Sequence, residues 1–96
     1  MNPKERMKEI KQRLETEFTP ETLGVEDESY LHEGHPGARD GRGHFRVLII
    51  SEAFSEKSPL DRHLMVYKAL GDLMRTDIPA LAIDAWSPKE LDRDTV

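Results

Sequence analysis

Ninety-six residues suffice for one small domain, which buries only about two thirds of its unfolded surface and can build one modest core. Hydrophobic residues at 36% and charged residues at 34% are a lean mixture, but the apolar residues are clustered and periodic, so the chain reads as folded. The lack of cysteine excludes a disulfide scaffold, a thiolate metal site and a cysteine nucleophile, and the net charge of −5 excludes attraction to nucleic acid by overall field.

The first residues, MNPKERMKEI, are charged and amphipathic, without the apolar core of a signal peptide. No run is long enough to span a bilayer, and the expectation is a soluble, cytoplasmic protein without a membrane partner. Asn2-Pro3-Lys4-Glu5 reads as a helix start, with Asn2 as cap, Pro3 at the first helical position and Glu5 closing a capping box. Met7, Ile10, Leu14 and Phe18 recur at helical spacing, and the helix ends near Phe18, before Thr19-Pro20. TLGVEDESY alternates, with Leu23 and Val25 on one face, and predicts a first strand.

A loop from Leu31 to Gly43 follows. The stretch Ser29–Phe45, SYLHEGHPGARDGRGHF, holds His32, His35 and His44 and four of the six glycines. HFRVLIIS is the best strand in the chain, with Phe45, Val47 and Ile49 facing one way and Leu48 and Ile50 the other. SPLD, Ser58 to Asp61, starts a second helix whose stripe is read as Leu60, Leu64, Tyr67, Leu70 and Met74, with Gly71 inside it and an end before Pro79. ALAIDAW predicts a short strand with Leu81, Ile83 and Ala85 on one face, and Ser87-Pro88 opens a short terminal helix running to about Asp94. The expected core is Phe45, Val47, Ile49, Leu64, Tyr67, Leu81 and Ile83.

The first two strands pair most economically as an antiparallel hairpin. The helix between the second and third permits a right-handed crossover, which makes those two parallel. The expected fold is α+β: a three-stranded mixed sheet, strands one and two antiparallel and three parallel to two, with helices packed on one face, in a single domain over residues 1–96.

Imidazole ligates iron, zinc, copper and nickel at neutral pH, so His32 and His35 in the glycine-rich loop are candidate metal ligands. The alternative is that loop imidazoles are simply solvated. His44 reads as structural or exposed, and His63, near a helix N-terminus that disfavours its cationic form, reads as a neutral, hydrogen-bonded residue. No nucleophile elbow, P-loop, dinucleotide fingerprint or HExxH motif is present, and the expectation is no enzyme and no small-molecule substrate. Lys57, Arg62, His63, Lys68 and Arg75 lie on or before the long helix and form the candidate nucleic-acid patch. A turn and helix on a small α+β sheet is the geometry of a class II KH domain, although FSEKS stands where a KH domain has its GxxG loop. The opposing reading is an ordinary solvated helix face.

Taken together, VEDESYLH, GHFRVLIISEAF, SPLDRHLMVYKALGDLM and ALAIDAWSP resemble the BolA family, in order and spacing, over roughly Met7 to Leu91. The resemblance implies a KH-like fold and two activities. One is partnership with a monothiol glutaredoxin, with a shared [2Fe-2S] cluster, in iron–sulfur handling and redox and stress signalling. The other is DNA-binding transcriptional regulation. It implies no cofactor on the free chain. The family's loop ligand maps onto His32. Its second ligand, a histidine just before the third strand, does not carry over, because Pro79 stands there; His35 and His63 are the candidate replacements. Glu56 stands where the family often has glycine, which stiffens the turn and makes it more acidic. DNA binding by such a chain is expected to be weak and lost at moderate salt.

Overall fold

A computed structural model describes residues 2–28, 44–76, 78 and 80–94. The elements are α1 (Pro3–Phe18), β1 (Thr22–Asp27), β2 (His44–Ile50), a 3₁₀ turn (Glu52–Phe54), α2 (Pro59–Leu70), α3 (Leu73–Thr76), β3 (Ala80–Trp86) and α4 (Pro88–Asp94). The sheet has three strands in the order β1-β2-β3, with β1 and β2 antiparallel and β2 and β3 parallel, as expected.

Three Asn/Ser-Pro dipeptides set the helix starts. Asn2 accepts from the Glu5 amide at 2.9 Å, and Ser58 from the Asp61 amide at 3.1 Å. At Ser87 the Glu90 carboxylate reaches back as in one half of a capping box, accepting from the Ser87 amide and hydroxyl at 2.9 and 2.8 Å. Each supplies one of the acceptors or donors that a helix end otherwise lacks.

α1 behaves as its period says. Ile10, Leu14 and Phe18 are buried, and Met7 packs at the margin of the core. They meet Val25 of β1, Phe45, Val47 and Ile49 of β2, and Phe54, Val66, Leu70, Leu73 and Ile78. The rings of Phe18 and Phe54 lie 4.9 Å apart at 34°. The Ser51 hydroxyl, buried beside them, donates to the carbonyl of Phe18 at 2.7 Å and accepts from the Ala53 amide at 3.1 Å. One side chain thus satisfies the last carbonyl of α1 and caps the turn after β2.

Two expectations for the second helix are corrected. It stops before Pro79 as expected, but already at Leu70, so Gly71 lies outside it and Met74 belongs to the separate α3. Gly71 is its terminator, in a positive-φ conformation (φ 55) that suits glycine, with its amide on the carbonyl of Tyr67 at 2.9 Å. Arg13 of α1 then donates to the carbonyl of Leu70 at 2.6 Å. The helix is also rotated relative to the expected stripe: Arg62, Val66 and Leu70 face inward, and Leu64 and Tyr67, expected in the core, are exposed along with Leu60. Leu81, Ile83 and Ala85 pack at the edge of the core as expected. On the opposite face of the sheet Arg46 bridges Glu28 and Asp84 at 3.2 and 3.3 Å, beside half-exposed Leu48 and Trp86.

Candidate functional site

The segment joining β2 to α2 is a run of short-range hydrogen bonds. The Ser55 amide donates to the carbonyl of Glu52 at 3.0 Å, the Lys57 amide to that of Phe54 at 3.2 Å, and Ser58 caps α2. Glu56 sits between them at φ 63, in the left-handed region that favours glycine. The turn leads into Arg62, whose three guanidinium nitrogens all find acceptors. Nε donates to the carbonyl of Lys57 at 3.0 Å and Nη1 to that of Ala85 at 2.9 Å, while Nη2 lies 2.7 Å from Glu90. Ala85 belongs to β3, an edge strand, so Arg62 covers part of an edge that would otherwise be open to pairing. Glu90 is held well below the usual carboxylate range, at about 2, by the Arg62 guanidinium first and then by the Ser87 amide and hydroxyl. One arginine therefore ties together the turn, α2, β3 and α4.

This placement corrects Arg62 as a member of the nucleic-acid patch. The residue is buried, at 8% exposure, with its donors spent inside the fold, so it is not on the solvated face expected of it. Of the other candidates, Lys57 and Lys68 share the outer side of α2, whereas His63 faces β3 and Arg75 belongs to α3. Lys57 and Lys68 line a shallow hollow of about 280 Å³ with Asp61, Leu64 and Met65. His63 is half-buried, edge-on to Tyr67 with ring centroids 6.3 Å apart, and lines a neighbouring cleft of about 310 Å³ with Lys57, Ile83, Trp86 and Glu90. Arg75 is exposed and paired with Asp72 at 2.6 Å.

The candidate metal ligands divide differently. His32, His35 and Pro79 lie outside the described residues. The ends of the loop are nonetheless placed. The Glu28 amide donates to the carbonyl of His44 at 2.7 Å, and the Cα of His44 pairs with that of Ala80. The foot of the histidine-rich loop and the start of β3 thus meet at one end of the sheet. His63 is not there. Its cleft is walled by Ile83 to Trp86, and Asp84 is four residues along β3 from Ala80, roughly 13 Å at the strand rise. His63 therefore lies toward the far end of β3 from Ala80, which speaks against its expected role as a replacement ligand at the start of that strand. The described imidazole at that end is His44, half-buried and partnered within the fold. Among the described residues, no three histidine or carboxylate groups converge as a metal site. An imidazole fits part of an iron coordination shell and not a complete one.

The same arrangement of elements is found in known proteins. The family model for BolA-like proteins matches residues 14–90. The chain belongs to the BolA-like family. It is 41% identical over 87 residues to SufE-like protein 1, chloroplastic/mitochondrial, of Arabidopsis thaliana, a match covering 85% of this chain and 24% of that longer protein. It is 36% identical over 89 residues to the DNA-binding transcriptional regulator BolA of Escherichia coli strain K12, covering 91% of this chain and 82% of that one. The solved BolA domain of SufE1 from Arabidopsis thaliana superimposes with a TM-score of 0.80 at 42% identity, covering 88% of this chain and 94% of that domain. The BolA-named relatives bear the names of regulators or of BolA-like proteins rather than of enzymes. No helix among the described residues is long and apolar enough to cross a membrane. Within the BolA fold, the two residues that sequence reasoning missed are Ser51 and Glu90. Ser51 gave no signal beyond its place at a strand end; Glu90 was signalled by its spacing from Ser87, but its arginine partner is distant in the chain.

Proposed function

We propose that this BolA-like chain is a cytoplasmic adaptor that partners a monothiol glutaredoxin in iron–sulfur cluster handling and redox and stress signalling. The observation that supports this reading is the register of His44 with Ala80, which brings the foot of the histidine-rich loop beside the start of β3. His32 offers one imidazole from the loop. His35 supplies the second nitrogen where Pro79 has none. A [2Fe-2S] cluster shared this way would contribute electron storage and a labile, transferable iron–sulfur unit, with the remaining ligands coming from the glutaredoxin. An imidazole ligand must be neutral, so retention falls as pH drops through the histidine range near about 6.5. Co-expression with a monothiol glutaredoxin should give a coloured heterodimer with a visible circular-dichroism signal that His32→Ala weakens and Pro79→His strengthens. A colourless pair, or a spectrum indifferent to both changes, refutes the cluster.

A second reading, DNA-binding regulation, rests on the name of the Escherichia coli relative, on Lys57 and Lys68 at the outer side of α2, and on His63 in the neighbouring cleft. With Arg62 internal and a net charge of −5, such binding is weak and lost at moderate salt. Tight, sequence-selective gel shifts at physiological salt would promote it over the first reading.

A further inference from the structure

α2 has two apolar faces, and the core uses one. Val66 and Leu70 are sealed, while Leu60, Leu64 and Tyr67 are 68%, 55% and 38% exposed. The exposed residues fall at i, i+4 and i+7, one continuous stripe along the outer side of the helix. One flank of that stripe alternates in sign: Lys57, Asp61 and Lys68 share a hollow with Leu64 and Met65. Phosphate would meet repulsion at Asp61, so the pattern suits a protein surface of inverse order.

The chain itself provides that order. Consider two α2 helices packed antiparallel about a two-fold axis passing between Leu64 and Met65. The axis sets Asp61 against the second copy's Lys68. The pair occurs twice, on the same flank, because the two-fold axis maps that flank onto itself. Along the seam the apolar residues then alternate between copies: Leu60, the second copy's Tyr67, Leu64, the second copy's Leu64, Tyr67, the second copy's Leu60. That is the interdigitation antiparallel helices need. Among the described residues neither lysine has a side-chain partner, and both line the hollow beside Leu64.

We propose that the Leu60–Leu64–Tyr67 face of α2 is a homodimer interface, occupied by α2 of a second copy of this chain. One helix face is small for a stable dimer, so association is weak and reversible. It also covers Lys57 and Lys68, which makes self-association and any grip on DNA through α2 mutually exclusive.

Sedimentation velocity of the full chain between about 10 μM and about 1 mM, the range a small interface allows, should show a monomer–dimer equilibrium. Leu64→Glu, at a position already exposed in the monomer, should leave far-UV circular dichroism and melting unchanged and abolish the dimer. Lys68→Glu should weaken it roughly tenfold by setting like charges against each other, and adding Asp61→Lys should restore most of the affinity. Overturning results are a monomer throughout the range, a dimer indifferent to Leu64→Glu, or a double variant no tighter than Lys68→Glu. Amide shifts at Leu60, Leu64 and Tyr67 that appear only on adding glutaredoxin or duplex DNA would also overturn it, and would assign the face to that occupant.

Discussion

α1 and α2 begin alike, with an Asn or Ser cap and a proline at the first helical position, and both are amphipathic by spacing. They differ in what their apolar residues do. α1 has one stripe, and every residue of it goes inward or to the core margin. α2 has two, and the stripe that looks stronger in the sequence is left outside while the inner one includes an arginine. Hydrophobic periodicity is decisive when a helix has a single apolar face. When it has two, neighbouring elements choose, and a charged residue can occupy the inner face if each of its donors finds an acceptor. Arg62 meets that condition through Lys57, Ala85 and Glu90.

The comparison breaks most sharply on truncation. Leu70→Ala should cost about 2–5 kcal/mol through the cavity it leaves, whereas Leu64→Ala should stay within about 0.5 kcal/mol, as for an exposed site. Chemical denaturation at dilute concentration, below any self-association, reads both; equal losses would mean that the orientation of α2 is wrong. Next in size is Arg62→Met, which keeps the aliphatic stem but leaves the carbonyl of Ala85 without its donor and the carboxylate of Glu90 without its cation, held only by Ser87. It should cost about 1–3 kcal/mol and expose the β3 edge, measurable as faster amide exchange in β3.

The acid limb of the stability curve sharpens the role of Glu90. Its carboxyl is held down to about 2 from an ordinary 4.5, so its contribution is fully present above about pH 4.5 and is lost as pH falls toward 2. Glu90→Gln should reduce stability at neutral pH and flatten that acid loss; an unchanged profile would show that the contact with Arg62 is not maintained in solution. The smallest effect concerns backbone strain. Glu56→Gly should relieve the left-handed conformation at φ 63 and stabilise the fold by about 0.5–1 kcal/mol, net of the greater freedom glycine has when unfolded. A destabilised variant would mean that the Glu56 side chain makes a contact that outweighs the strain.

Much of this protein is legible in its amino-acid sequence alone. The Asn2, Ser58 and Ser87 starts, the end of α1 at Phe18, the three strands and their pairing all follow from local rules: caps that satisfy orphan backbone groups, period-2 and period-3.6 burial, and the crossover a helix permits. The residues that carry the BolA resemblance are legible too, and the family match over residues 14–90 agrees with them. What only the tertiary structure decided was non-local. The direction of α2 depended on which face met β3 and α1. The reassignment of Arg62 from surface cation to internal strut depended on acceptors up to Glu90, distant in sequence and adjacent in space. The separation of His63 from the end of the sheet where His44 meets Ala80 depended on strand register. Local sequence sets what each segment can be, because caps and periodicity act within a few residues. Which face is used, and which charge can be buried, is settled only where segments far apart in the chain compete for the same core and the same acceptors.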